Sequence, residues 1–324
     1  MNNKNELEDQ ITSTEELEDL EDLDDLNDTD DLDDTDNLDD MDDLDDMNDR
    51  TEEPTRNSKR SKKSKRFQLH VLSIILVIAI VVFGFSAYKL ISYYLEYKQG
   101  DDIYHNIQNE VLDEDATTAV IQEGDDAKEV EVPFRYDHNA LLAINEEGIG
   151  YFYMPSIDAR YPMVQTTNND FYLDHTFNKT SNKNGCLFED NRIKGGITAS
   201  HVIIYGHNMK NGSMFGKLNR YKDQAFWSTE GNDVFYLYTQ DKMMEYRIFS
   251  VYISEPVSDT YTFNFSSLDL MRSYAQARKS ESLYDTGVDL SNATQVVTLS
   301  TCTDKGDQRL IVHGVYVGEA QLDN

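Results

Sequence analysis

A cysteine closes the apolar run Thr298-Leu-Ser-Thr-Cys302, an arginine follows it at Arg309, and a histidine lies far upstream in Tyr205-Gly-His-Asn208. A thiol, an imidazole and a guanidinium together supply a nucleophile, a proton carrier and a stabiliser for a developing oxyanion. That is the equipment of acyl transfer through a thioester.

Each of the three has a bland alternative. Cys is commonly a buried apolar side chain, but the polar neighbours Ser300, Thr301, Thr303 and Asp304 argue for an accessible thiol at Cys302. His207 follows the apolar run Val202-Ile-Ile-Tyr-Gly206 and opens a polar, glycine-containing loop. An imidazole there can exchange protons with a thiol and an amine near neutral pH. The other histidines fit the role less well: His70 falls in an apolar stretch, His105 in a linker helix, and His138, His175, His201 and His313 lack the strand-to-loop setting. Arg309 opens the apolar run after Cys302, so a hairpin returns it beside the nucleophile; a surface arginine would satisfy the same spacing.

Short elements must hold these groups. Runs at 149–154, 163–165, 185–188, 201–205, 234–238, 246–253, 295–300 and 310–317 are apolar or alternating and are separated by Asn, Gly and Asp clusters. Eight short strands with frequent turns predict a closed barrel or a sandwich. Helices are expected at 213–221 and 266–280, the second opening on Ser and rich in Ala, Leu, Met and Arg.

The charge is unevenly distributed. Of the formal net −32, residues 1–53 carry 26 acids against 2 bases, whereas 54–66 hold seven Lys and Arg and no acid. Leu and Met recur every third residue from Leu17 to Met47, with Thr29 and Thr35 in register. At about 100° per residue that stripe winds round a helix, and adjacent aspartates repel, so 1–66 is expected to be a disordered acidic tail ending in a basic cluster. No metal-loop spacing occurs in it. Residues 67–88 lack any Asp, Glu, Lys or Arg and are long enough to cross about 30 Å of hydrocarbon. The basic cluster on the N-terminal side then predicts a cytoplasmic N-terminus and an external C-terminal bulk. A cleaved signal peptide fits worse, since the stretch starts late and lacks an A-x-A site. Residues 89–112 read as a juxtamembrane helix, 113–132 as an acidic linker and 139–324 as the folded domain, with 89–138 taken together as a helical linker region. For Cys186 and Cys302 a disulfide is the plain external reading. A domain of this size needs no staple, so two free thiols are expected, one buried and one reactive.

Taken together, Thr298–Cys302, the segment Ile203-Ile-Tyr-Gly-His-Asn-Met-Lys-Asn-Gly-Ser-Met-Phe-Gly-Lys-Leu218 and Arg309-Leu-Ile-Val-His-Gly-Val315 resemble the class B sortases of Gram-positive bacteria. The resemblance covers about residues 139–317. It implies an eight-stranded barrel with extra N-terminal helices and a helix between the sixth and seventh strands, for which 266–280 is the fitting segment. It further implies Cys302 as the nucleophile that forms a thioacyl intermediate, His207 as acid and base, and Arg309 as the oxyanion or positioning group. Asn169, Leu173 and Ser300 match positions near the substrate groove, Asp304 could orient His207, and Cys186 matches a small buried residue. The implied substrate is a secreted protein with a C-terminal NPxTx-like sorting signal, and the implied acceptor is an amine of peptidoglycan. No cofactor, metal or nucleic acid is expected. Two alternatives stay open: a pilin polymerase with a lysine acceptor, and an idle membrane scaffold. The acidic tail and the short loop 303–308 depart from the family pattern.

Overall fold

The computed structural model describes residues 58–113, 117–123, 126–303 and 306–322. Residues 1–57 of the expected tail and Asp304 therefore lie outside the described residues, whereas 58–66 are helical. Two compact units are distinguished, Met1–Leu69 and His70–Asn324. Of the first, only the opening turns of helix α1 (Ser58–Val111) are described.

In the second unit, α1 has apolar side chains exposed from Val71 to Leu95. This is the one helix among the described residues that is long and apolar enough to cross a membrane. The helix runs on without a break to Val111, as the proline-free composition of 89–112 predicts. Its last turns are buried: Tyr104, Ile107 and Val111 join the core, and the Tyr104 hydroxyl donates to the Gly185 carbonyl.

After α1 come β1 (Leu112–Asp113), β2 (Thr117–Glu123), β3 (Asp126–Val132) and β4 (Arg135–Tyr136). The expected linker at 113–132 is thus a hairpin, β2 against β3. Its signal was an alternation masked by acids: Val130 and Val132 turn inward while Glu129 is exposed. Next follow α2 (His138–Ile144), β5 (Gly148–Met154), β6 (Ala159–Val164), β7 (Leu187–Glu189), β8 (His201–Tyr205), the single turn α3 (Gln224–Trp227), β9 (Val234–Tyr238), β10 (Lys242–Ser254), α4 (Leu268–Ser280), β11 (Val296–Cys302) and β12 (Arg309–Gln321). The order β10-β9-β5-β6-β7-β8-β11-β12 closes by pairing β10 with β12, an eight-stranded barrel.

The helix expected at 213–221 is a 3-10 turn, Gly216–Lys222, leading into α3. Gly212 and Met214 have positive φ, and the Asn219 amide donates to the Gly216 carbonyl, so the local hydrogen bonds favour turns over a continuous helix. By contrast, α4 matches its expected segment. Ser267 caps it by accepting from the Leu270 amide, and Arg278 and Lys279 sit in its last turn.

The barrel is packed with aromatics. Phe235 stacks on Tyr246 with centroids 5.2 Å apart, and Phe134 lies 5.0 Å from Tyr238. Each such ring contributes roughly 2–3 kcal/mol by burial. The cluster makes the barrel a fixed frame for whatever its strand ends carry.

Two packed positions give tests. At Gly100 on α1 a Cβ would stand 2.8 Å from Asn182 Oδ1 and closer still to the Asn184 amide. The loop 182–184 therefore docks on a notch that only glycine leaves. Gly100→Val is expected to cost about 1–3 kcal/mol through overpacking, read as a Tm lowered by roughly 2–8 °C; an unchanged Tm would mean that the loop does not seat there. On β7, Glu189 is buried and holds one hydrogen bond, from Gln165, 3.3 Å away. Burial, with Asp190 beside it, pushes its pKa up to about 8. A carboxyl raised above its unfolded value stabilises the fold below about pH 4.5 and loses that contribution as pH rises through 8. Glu189→Gln should raise Tm at pH 9 by roughly 3 °C or more relative to the parent and leave it little changed at pH 5; equal shifts at both pH values would contradict a buried protonated acid.

Candidate active site

The barrel register assembles the three reactive groups. Strands β8 and β11 run parallel, with Tyr205 opposite Ser300, and the Gly206 amide donates to the Ser300 carbonyl at 3.2 Å, extending the ladder one step. Cys302 ends β11, two residues past Ser300, and His207 lies two residues past Tyr205. Parallel neighbours about 4.8 Å apart thus deliver thiol and imidazole to the same barrel end. On the other side of β11, Cys302 pairs with Arg309, the first residue of β12. The hairpin expected from the sequence is present, with the short loop between them.

Two of the three are held by hydrogen bonds. His207 is half-buried, and its Nε2–H donates to the Leu173 carbonyl at 2.6 Å, since a carbonyl only accepts. Its ring packs against Gly185, where a Cβ would come within 3.0 Å of His207 Cδ2. Arg309 Nη1 donates to the Gly306 and Gln308 carbonyls at 2.9 and 3.1 Å. The Thr303 amide donates to Gln308 at 2.9 Å, which closes the loop around the guanidinium. Cys302 is partly accessible and unbridged, and Cys186 is buried and unbridged. Burial pushes the Cys186 thiol up to about 12, so it stays protonated. Two free thiols in these two settings agree with the expectation from the sequence.

The other expected residues divide. Leu173 is exposed and belongs to the 3-10 turn Phe171–Leu173, whose carbonyl holds His207. That turn is clamped: the Asn168 side chain accepts from the Asp170 and Phe171 amides, and the Tyr172 hydroxyl donates to Glu147 at 2.6 Å. Asn169 accepts from the Asn191 amide at 2.9 Å and so ties the loop preceding the turn to the loop after β7. Ser300 is buried and shares a hydrogen bond of 3.0 Å with Tyr261.

Tyr261 is the residue that sequence reading missed. It sits in the connector between β10 and α4, stacks on Tyr205 with centroids 6.2 Å apart, and lies near Cys302 and Arg309. Behind it the Tyr205 hydroxyl donates to Asp190 at 2.9 Å. Burial opposes ionisation of Asp190, but Arg192, bound through Nε at 2.9 Å and Nη2 at 2.7 Å, holds its pKa below the ordinary carboxylate value. Nothing in the spacing of Asp259-Thr-Tyr-Thr262 marks this position; only the fold brings it to β11.

Comparison with known proteins converges on one family. Residues 152–317 match the model of the sortase domain. The chain is 30% identical over 226 residues to Sortase B of Listeria monocytogenes, covering 68% of this chain and 90% of that protein. Among solved structures, sortase B of Bacillus anthracis superposes with a TM-score of 0.56 at 29% identity, across 69% of this chain and 99% of that one. Sortase B of Clostridium perfringens gives 0.52 at 30% identity, across 56% and 100%. With the barrel order, the motif positions and the homology in agreement, this chain belongs to the sortase family as a class B member and is a cysteine transpeptidase.

Proposed function

We propose that this protein is a membrane-anchored sortase that cleaves a C-terminal NPxTx-like sorting signal and joins the freed protein to an amine of peptidoglycan. The observation that carries the reading is the shared end of β8, β11 and β12, with Cys302 opposite Arg309 and His207 on the parallel neighbour. In this reading His207 takes the Cys302 thiol proton and the sulfur attacks the signal's Thr carbonyl. The carbonyl electrons move onto oxygen, and the guanidinium of Arg309 stabilises that charge. Collapse of the intermediate breaks the C–N bond, and His207 protonates the departing amine, leaving a thioester on Cys302. An incoming amine then attacks the thioester, His207 takes its proton, and sulfur leaves.

The resting hydrogen bonds bear on this cycle. A guanidinium carries five donors, and the two loop carbonyls engage Nη1. The loop therefore aims Arg309 while the fork retains donors for substrate. The Leu173 carbonyl fixes a proton on His207 Nε2, so substrate must exchange that bond for one to the leaving amine. Leu173 and Ser300 then stand beside the scissile region, while Asn169 shapes the groove through its loop contact. The exposed apolar helix and the preceding Lys/Arg cluster support a single span with the N-terminus in the cytoplasm and the barrel outside.

With the full chain in detergent and a fluorogenic NPxTx peptide, Cys302→Ala is expected to abolish turnover, and Arg309→Lys to lower kcat/KM about 100-fold, as for loss of one oxyanion donor. Residual turnover in the alanine variant, or a near-normal lysine variant, would remove that residue from its role. Mass spectrometry of the product formed with a wall-peptide amine identifies the acceptor. Topology has its own check. Protease added outside intact protoplasts should digest the barrel and spare the acidic tail, and the reverse pattern would invert the proposed orientation.

A further inference from the structure

Strand β11 presents Val296, Thr298, Ser300 and Cys302 on one face and Val297, Leu299 and Thr301 on the other. Val297 and Leu299 join the barrel core, whereas Val296 packs in a separate cluster with Met271 and Ala275 of α4. The nucleophile therefore shares its face with Thr298 and Ser300, under the connector 255–267 and α4.

A continuous run of buried hydrogen bonds lies on that face. His201 Nδ1 is 2.7 Å from the Thr262 carbonyl, and His201 Nε2 is 2.6 Å from Thr298 Oγ1. Thr298 Oγ1 is 2.8 Å from His313 Nδ1, and His313 Nε2 is 2.9 Å from the Tyr252 hydroxyl. Tyr252 in turn lies 2.9 Å from Thr260 Oγ1. His201, Thr298, His313 and Thr260 are each at most 1% exposed. The run leaves the connector at Thr260, crosses β10, β12, β11 and β8, and returns to the connector at Thr262.

The proton positions follow from the last acceptor. A carbonyl only accepts, so His201 carries its proton on Nδ1. A neutral His201 must then accept at Nε2 from the Thr298 hydroxyl. Thr298, having donated, accepts from His313 Nδ1–H, and His313 Nε2 accepts from the Tyr252 hydroxyl. Every bond points the same way while both rings are neutral; one extra proton on either ring turns its acceptor nitrogen into a donor, reverses the bond to the neighbouring hydroxyl and leaves a charge in a buried site.

We propose that the Thr298-bridged pair His201 and His313 is a positioning network for the transpeptidase reaction, holding connector 255–267 in register on the nucleophile strand as long as both rings are neutral. It rests on the reading of Cys302 as the nucleophile. Thr298 and Ser300 are successive same-face positions before Cys302, and both are tied to the connector, the first through His201 to Thr262 and the second directly to Tyr261. The connector is thereby fixed at two points, with Tyr261 beside Cys302. The network touches neither thiol nor His207, so its effect falls on how substrate is held.

The surroundings suit neutral rings. His313 stacks on Phe249 at 5.5 Å, and His201 lies 4.9 Å from Tyr274 and 6.1 Å from Phe265. The titratable and charged groups facing the pair are Tyr252 on β10, Tyr274 and Arg278 on α4, and Asp190 after β7. Burial lowers His201 to about 4, with Asp190 opposing, and burial with the nearby His201 and Arg278 lowers His313 well below its ordinary value. Histidines depressed in the fold add stability that is full above the unfolded value near 6.5 and is lost as pH falls toward 4.

The test uses the full chain in detergent, labelled with 15N-histidine. Both rings are expected as the Nδ1–H tautomer, neutral from pH 7.5 down to about pH 5. An Nε2–H tautomer or a charged ring at pH 7 would overturn the network. Thr298→Val keeps the shape but removes the bridge. It should raise KM for the NPxTx peptide about tenfold with kcat within about twofold, and speed amide exchange in 255–267 about tenfold while β9 is unaffected. Thr298→Ser should restore both. Loss of kcat and KM control together, or a valine variant indistinguishable from the parent, would overturn the proposal. Absence of turnover in the parent would instead defeat the reading of Cys302, and the tautomer and exchange data would still decide the network.

Discussion

The parallel ladder between β8 and β11 is the constraint on which the rest of this molecule depends. Two strands far apart in sequence run side by side in one direction, so whatever follows each of them emerges at the same end of the barrel. That places the imidazole loop beside the thiol, and the antiparallel return of β12 adds the guanidinium. Parallel pairing needs a long crossover, and here the 90 residues from 206 to 295 supply it, including β9, β10 and α4. The crossover is itself functional, because its connector covers the outer face of β11.

Around that ladder backbone carbonyls and one tyrosine hold the groups at the site. The Leu173 carbonyl holds His207, two loop carbonyls hold Arg309, and Tyr261 holds Ser300. Buried hydrogen bonds are worth about 1 kcal/mol each when made and cost more when one partner is left alone. Their value here is directional. They fix ring faces and proton positions within a frame that the aromatic barrel core makes rigid.

Much of the fold was readable because burial leaves periodic traces. Each of the eight expected runs overlaps a barrel strand, with β6 starting four residues before its run at 163–165 and β7 two residues after the start of its run at 185–188, and α4 begins one residue after its Ser267 cap. The failures have physical causes. The hairpin of β2 and β3 was hidden because one face of an edge ribbon meets water and carries glutamates, which lowers the mean hydropathy that marks a strand. The segment 213–221 has helical composition, yet Met214 sits at positive φ and the Asn219 side chain offers the Gly216 carbonyl a competing bond.

By itself the sequence determined the chemical types: a thiol at a strand end, an imidazole after another strand, an arginine opening the return strand, and an apolar helix ahead of them. Those are local facts, set by side-chain identity and periodicity. Only the tertiary structure decided that the two strand ends coincide, that Asn169 ties a loop, and that Tyr261 reaches β11. It also decided that His201 and His313 share one threonine. These contacts, between residues 15 to 97 positions apart, depend on barrel closure and register, and no local pattern encodes a register between strands that are not neighbours in the chain.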